Sequence, residues 1–127
     1  MKKSIFALAS LVLACPSFAA ATIGDIQYAD SLEKDGIVLQ LNGAGLREIF
    51  FVDVYAAGLY LPKRSPSAQE IIEMTGAKCV RLGLLRDVDA ANFVDALKDG
   101  IKDNTTQAER DALEKELQSL ISVMDLI

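Results

Sequence analysis

The feature that most constrains the fold is the division of the chain into a β-rich first half and a helical second half. Residues 48–61 are rich in aromatic and β-branched side chains, which favour strands. They predict one long strand, or two strands joined at residues 56–58, and Phe50 and Phe51 are expected in the core. Shorter strand patterns cover residues 26–29, 37–41 and 78–86.

Glycines mark two interruptions in the β-rich half. Asp35-Gly36 is a turn signal just before the strand predicted at residues 37–41. Gly43 and Gly45 follow that strand closely. Two glycines at this spacing predict either a β-bulge or the close approach of another backbone.

Capping signals mark the helices. Residues 67–70 (SAQE) and 106–109 (TQAE) are capping boxes that open two helices. Asp87 or Asp89 caps a third helix between them, which is expected to stop at Asn104. Its apolar positions recur at helical spacing: Phe93, Leu97, Gly100 and Ile101. Strands followed by helices predict an α+β domain in which helices cover one face of a mainly antiparallel sheet.

The first residues have the three parts of a secretory signal peptide. Two lysines precede an apolar segment at residues 5–14, and Ala19 or Ala21 is a small residue suited to cleavage. The apolar segment is too short for the roughly 20 residues of a membrane-spanning helix. We expect residues 1–19 to be removed, with cleavage after Ala19, and the mature chain to be periplasmic or secreted. Lipidation at Cys15 is the alternative, which would hold the protein at a membrane.

The composition excludes several classes of function. The chain has no histidine, which removes Ser-His and Cys-His nucleophile pairs and ordinary zinc sites. Its net charge is −5. An acidic chain without a basic run is a poor nucleic-acid binder. No P-loop or GxGxxG motif occurs, so neither a cofactor nor a metal is expected.

Two blocks of sequence resemble the chalcone isomerase-like family, and in particular its exported bacterial branch. The first is residues 41–47 (LNGAGLR) with residues 51–61 (FVDVYAAGLYL), and the second begins at residues 81–88 (RLGLLRDV). The resemblance implies an open-faced β-sandwich: an antiparallel sheet with helices against one face and a ligand cleft between them. Because the family continues with further strands, residues 20–127 are expected to form a domain that lacks its C-terminal strands.

The resemblance also implies site residues. The family arginine after the GAG motif matches Arg47. Tyr55 stands where true isomerases have a threonine and where the fatty-acid-binding relatives have a tyrosine. Phe93 and Gly100 stand where the isomerases have a tyrosine and an asparagine, so no catalytic set is expected. A guanidinium fork and a tyrosine hydroxyl suit a carboxylate. The even separation of Arg47 and Tyr55 would put both on one face of an uninterrupted strand.

We therefore expect a non-catalytic protein that holds a fatty acid or other small amphipathic anion between sheet and helices, with Arg47 and Tyr55 at the carboxylate. Two alternatives stay open at this point. One is a chalcone isomerase-type intramolecular lyase, and the other is a structural or interaction protein without a small ligand. For Arg47 itself, the alternative is a solvated residue or an ion pair with Glu48 or Asp53.

Overall fold

A computed structural model describes residues 19–124 of the chain. The expected signal segment up to Phe18, including Cys15, lies outside the described residues. No helix within residues 19–124 is long and apolar enough to cross a membrane. The described elements, in chain order, are β1 (Ala19–Ile23), β2 (Ile26–Ala29), β3 (Ser31–Lys34), β4 (Ile37–Ile49), β5 (Val52–Leu61), α1 (Ala68–Glu73), β6 (Cys79–Leu84), α2 (Ala90–Asn104) and α3 (Gln107–Met124).

The strands form a four-stranded antiparallel sheet and a separate hairpin. Strands β3, β4, β5 and β6 are neighbours in that order, and β1 pairs only with β2. The chain passes from the hairpin to the sheet at Asp30, whose carbonyl oxygen accepts a hydrogen bond from the Leu41 N–H at 2.8 Å. Each strand of the sheet therefore lies beside the next strand in the sequence.

Two tight turns connect β3 to β4 and β4 to β5. Asp35 and Gly36 both have positive φ, at 53° and 76°, which confirms the predicted turn. Phe50 and Phe51 have φ of 49° and 65° and form the second turn. The strand predicted over residues 48–61 is therefore wrong, because a turn interrupts it at Phe50-Phe51.

The break that the alternative of two strands places at residues 56–58 does not occur. Ala56 and Gly58 lie inside β5 and pair with β4 on one side and β6 on the other. The core position expected for the two phenylalanines is also wrong. Phe50 is 91% exposed and Phe51 is 99% exposed.

Two β-bulges set the register between β4 and β5. Leu41 pairs with Tyr60 and Gly43 with Leu59, which leaves Asn42 as an extra residue on β4. The glycines thus mark a bulge, as predicted, and β4 continues through it to Ile49. The Asn42 side chain accepts a hydrogen bond from the Ser65 N–H at 2.8 Å, so the bulge also anchors the loop after β5.

The core lies between the β1–β2 hairpin and one face of the four-stranded sheet. Its fully buried members include Tyr28, Ala56 and Tyr60. A Cβ atom added to Gly58 would lie 2.5 Å from Cδ1 of Tyr28, and one added to Gly83 would lie 2.7 Å from Cγ1 of Ile26. Glycine at these two positions is what lets the hairpin side chains reach the sheet backbone.

Two buried tyrosines in this core differ in how their hydroxyls are satisfied. The Tyr60 hydroxyl donates to the carbonyl oxygen of Ala29 at 3.1 Å. The Tyr28 hydroxyl has no hydrogen-bond partner among the described residues. Burial raises the pKa of Tyr28, and the nearby Arg81 charge partly opposes that shift. The Arg81 guanidinium lies 5.8 Å from the centre of the Tyr28 ring.

The helices begin where the capping signals predict. The Ser67 hydroxyl accepts from the Glu70 N–H at 3.3 Å, and the Asp89 carboxylate accepts from the Ala91 N–H at 2.9 Å. Thr106 and Glu109 form the reciprocal capping box of α3, at 2.8 Å and 3.3 Å. Helix α2 ends at Asn104, as expected. The α+β class, with an antiparallel sheet and a helical layer, is confirmed.

Candidate ligand-binding cleft

An apolar cleft lies between α2 and the face of the sheet that is turned away from the β1–β2 hairpin; we call this the cleft face. One part has a volume of about 540 Å³, and its lining includes Tyr55, Val80, Leu97 and Ile101. An adjoining part has a volume of about 580 Å³, and its lining includes Leu84, Val88, Ala90 and Met124. Leu82 and Phe93 line both parts, so the two are neighbours.

The sheet wall of the cleft comes from alternate residues of β6. Val80, Leu82 and Leu84 share one face of this strand because successive side chains point to opposite sides. They pair with Leu59, Ala57 and Tyr55 of β5, in that order. Val80 is 61% exposed and Leu84 is 47% exposed. The helical layer thus leaves apolar surface open within the cleft.

The helix wall of the cleft comes from residues four apart on α2. Phe93, Leu97 and Ile101 are half-buried and line the cleft. Gly100 also lines it, and a Cβ atom added there would meet no atom of the described part of the chain within 4 Å. The two positions at which the resemblance implies polar side chains in the isomerases thus lie in the cleft. Here they present a phenyl ring and no side chain at all.

Arg47 and Tyr55 are direct partners across the β4–β5 pair. Directly opposed residues of an antiparallel pair point to the same side of the sheet. The two side chains therefore share the cleft face, as predicted, but from two neighbouring strands rather than from one uninterrupted strand. Tyr55 lines the cleft. Arg47 is exposed, lies one strand farther from β6 and is outside the lining.

The second bulge is what brings these two side chains to one face. Arg47 pairs with Tyr55 and Glu48 with Asp53, so Val54 is the extra residue on β5. Without an extra residue, Arg47 would oppose Val54, and Tyr55 would point to the other side of the sheet. The sequence contains no glycine at this bulge, so the register was not predictable from it.

The Arg47 guanidinium is free of carboxylate partners in the described part of the chain. The ion pairs found within residues 19–124 join Lys34 to Asp35 and Arg64 to Asp30. The alternative in which Arg47 pairs with Glu48 or Asp53 is therefore not what the structure contains. An exposed, unpaired guanidinium keeps its donors for a ligand or water.

The other polar side chains of the cleft are bonded to their own helix end. Asn104 donates to the Gly100 carbonyl oxygen at 2.8 Å, and the Thr105 hydroxyl donates to the carbonyl oxygen of Ile101 at 2.5 Å. Within residues 19–124 no three acidic or cysteine side chains lie close enough to hold a metal ion. Asp89 also lines the cleft, and its carboxylate accepts the Ala91 N–H at the start of α2. The cleft is therefore an apolar surface with a phenol and a capping carboxylate in its wall and a cation beside it.

Sequence reasoning missed the part that Gly43 and Gly45 play in this site. They oppose Leu59 and Ala57 and so lie on the cleft face, in line with Arg47. A Cβ atom added to either glycine would meet no atom of the described residues within 4 Å. The two glycines leave the sheet bare beside Arg47. The face on which the two glycines lie depends on the strand register, which the Asn42 bulge sets.

An antiparallel sheet with a helical layer over one face defines an α+β domain. The model of the chalcone isomerase-like family matches residues 20–126, and the chain belongs to that family. A search of curated proteins gave no match. The family resemblance read from the two sequence blocks is thus confirmed. The exported bacterial branch, the domain start at residue 20 and the missing C-terminal strands stay predictions.

Proposed function

We propose that this chain is an exported, non-catalytic protein that binds a fatty acid or another small amphipathic anion in the cleft. The anionic head group lies at Arg47 and Tyr55, and the apolar part lies between β6 and α2. One observation carries the proposal: Arg47 and Tyr55 are directly opposed on the sheet face whose neighbouring strand walls the apolar cleft.

The apolar part of the ligand follows from the walls of the cleft. Leu82 and Phe93 are shared by both parts, whose volumes of about 540 Å³ and 580 Å³ lie within the range of small-molecule sites. Aliphatic side chains of β6 face aliphatic and aromatic side chains of α2. Such walls favour an acyl chain and offer little to a polar ligand.

The anionic part follows from the position of Arg47. A guanidinium can donate two parallel hydrogen bonds to one carboxylate, and a phenol can add a third. Arg47 lies outside the apolar lining while Tyr55 lies within it. This arrangement suits a molecule whose charged end stays hydrated at the edge of the cleft while its tail is buried. A fatty acid has that shape.

The absence of a catalytic role is proposed from Phe93 and Gly100. An isomerase-type reaction needs donors that stabilise a developing oxyanion. Both positions line the cleft, yet neither side chain can donate a hydrogen bond. Arg47 and Tyr55 remain as donors, which is enough to hold an anion in place. The proposed export rests on the signal-peptide pattern of residues 1–19.

The test is a ligand search followed by binding measurements. Organic extraction of the purified protein and mass spectrometry are expected to find a bound fatty acid. Titration with a long-chain fatty acid then compares wild type with Arg47→Ala. Arg47→Ala removes charged hydrogen bonds and is expected to weaken binding by roughly tenfold or more. Tyr55→Phe is expected to weaken binding by a smaller factor.

The matched control is Arg81→Ala. Arg81 opposes Gly58 and so lies on the other face of the same sheet, and its removal changes the net charge equally. Its fatty-acid affinity is expected to equal that of wild type. Absence of any extracted acid, together with equal affinities for Arg47→Ala and wild type, would contradict the proposal. Chalcone cyclisation above the uncatalysed rate would replace it with the isomerase alternative.

A further inference from the structure

The turn between β4 and β5 carries the most exposed large apolar side chains of the described residues. Phe50 is 91% exposed and Phe51 is 99% exposed. Ile49 and Val52, which flank the turn, are 45% and 37% exposed. We call these four residues, 49–52, the apolar tip. It is convex and projects from the end of the sheet, so it is unlike the cleft described above.

The backbone of the apolar tip is strained. Phe50 and Phe51 have φ of 49° and 65°, a region that bulky side chains rarely adopt. Two-residue hairpin turns of this geometry favour Asn-Gly or Asp-Gly. The β3–β4 turn of this chain uses Asp35-Gly36 in the same way, with φ of 53° and 76°. The hairpin geometry therefore does not require phenylalanine at either position.

Two unfavourable features thus coincide at the same two residues, since both exposure of a phenyl ring to water and left-handed backbone cost free energy. A strained, exposed apolar pair is explained if the rings leave water when the protein is at work. The question is which surface takes them up.

The charges behind the tip balance, which suits the head-group region of an uncharged bilayer. Glu48 and Asp53 oppose each other at the next position along the two strands. Arg47 follows on β4, and Arg86 donates from Nε to the Asp53 carbonyl oxygen at 2.7 Å. Two acidic and two basic side chains therefore surround the base of an apolar, aromatic projection. In interfacial membrane proteins, aromatic rings lie at the acyl boundary while charged groups lie among the head groups.

We propose that the apolar tip inserts into the surface of a lipid bilayer. Arg47 is three residues from Phe50, which is roughly 10 Å along a strand. Insertion of the tip would therefore bring the Arg47 end of the cleft close to the head groups. The fatty acid would then be taken from a membrane or delivered to one. This consequence rests on the proposed function. Because the surrounding charges balance, insertion does not depend on anionic lipid.

The test uses the intact protein and vesicles of phosphatidylcholine. Wild type is expected to sediment with the vesicles. The double variant Phe50→Asn/Phe51→Gly carries the residues that this turn favours, so it is expected to fold at least as stably as wild type. Its partition into the vesicle pellet is expected to fall by roughly tenfold or more, because two aromatic side chains are lost.

Two further variants sharpen the test. Ile72→Ser removes an apolar side chain that is 73% exposed on α1, away from the tip, and is expected to leave vesicle binding unchanged. Phe51→Trp introduces a single reporter, since the chain has no tryptophan. Its emission is expected to shift to the blue with vesicles and to be quenched by brominated phosphatidylcholine.

Several results would overturn the inference: no sedimentation of wild type, equal sedimentation of wild type and the double variant, or a tryptophan that stays in water while the protein is bound. Binding that needs phosphatidylglycerol and disappears in salt would also overturn it. Fatty-acid titration in lipid-free buffer separates this inference from the proposed function. A wild type that binds the acid but no vesicles overturns the inference alone, whereas a double variant that loses vesicles and keeps the acid supports both.

Discussion

The two faces of the four-stranded sheet use glycine in opposite ways. On the face toward the β1–β2 hairpin, Gly58 and Gly83 sit directly under Tyr28 and Ile26, and no Cβ atom would fit. On the cleft face, Gly43 and Gly45 have no atom of residues 19–124 within 4 Å of where a Cβ atom would lie. One pair of glycines allows a close contact, and the other pair leaves space empty.

This difference separates the face that carries the buried core from the face that is left open under the helical layer. Glycine costs backbone entropy in any strand. At Gly58 that cost is offset by the packing of a fully buried tyrosine ring. At Gly45 no contact with the described residues offsets that cost. The predictions below test this contrast.

The largest effect is expected for Gly58→Ala. The new methyl group would lie 2.5 Å from the Tyr28 ring, which is fully buried and cannot move aside. Overpacking of this kind costs roughly 2–3 kcal/mol in the free energy of unfolding. Urea denaturation followed by circular dichroism measures it. A variant as stable as wild type would show that the β1–β2 hairpin and the four-stranded sheet are not packed as described.

A smaller effect distinguishes the two core tyrosines. Tyr60→Phe removes the hydrogen bond to the Ala29 carbonyl oxygen and is expected to cost about 1 kcal/mol. Tyr28→Phe removes a buried hydroxyl with no partner among the described residues, so its stability is expected to be equal to or above that of wild type. Thermal denaturation of both variants checks the difference, and the reverse order would contradict the assigned contacts.

Gly45→Ala provides the counterpart on the cleft face. Its backbone is not in the left-handed region and its surroundings are empty, so alanine is expected to stabilise the protein by about 0.5 kcal/mol. Urea denaturation beside Gly58→Ala gives the direct comparison. The same variant is expected to bind fatty acid somewhat more weakly, because the methyl group projects beside Arg47. A clear loss of stability would mean that this face is covered.

The smallest effect concerns the helical layer over the cleft. The hydrogen bonds from the Thr106 backbone and side chain hold the pKa of Glu109 below its ordinary value of 4.5. A carboxylate with a lowered pKa in the folded state stabilises the fold above that value, and the contribution is lost as the pH falls through the folded pKa. Wild type is therefore expected to lose stability on acidification by slightly more than Glu109→Gln, as measured by urea midpoints above and below pH 4.5. Identical pH profiles would contradict the capping role.

Local signals explain what could be predicted. Ser67, Asp89 and Thr106 have side chains that bond the first free N–H groups of a helix, and each helix begins where they stand. Asp35-Gly36 is a turn whose residues prefer its geometry. Phe50-Phe51 has the same geometry without a residue that prefers it, so the strand-like pattern of residues 48–61 concealed the turn.

The geometry of the candidate site could not be predicted from the sequence. Arg47 and Tyr55 share a face because of an extra residue, Val54, whose position in the strand pairing leaves no trace in the pattern. The contact between Tyr28 and Gly58 joins residues thirty positions apart and depends on how the β1–β2 hairpin packs on the four-stranded sheet. Hydrophobic periodicity predicts to which side of its own strand or helix a side chain points. It does not predict which residue of another element the side chain contacts.

The order of the strands has a consequence for how the chain reaches this structure. Because β3, β4, β5 and β6 are neighbours in chain order, every pairing of the main sheet closes over a short stretch of chain. Sheets with such local pairing fold faster than those that join distant segments. The longest closure is the one between β5 and β6, and the Ser65 N–H bond to Asn42 fastens its start back onto β4. The sheet can therefore grow strand by strand in the order in which the chain emerges, with α2 and α3 added last.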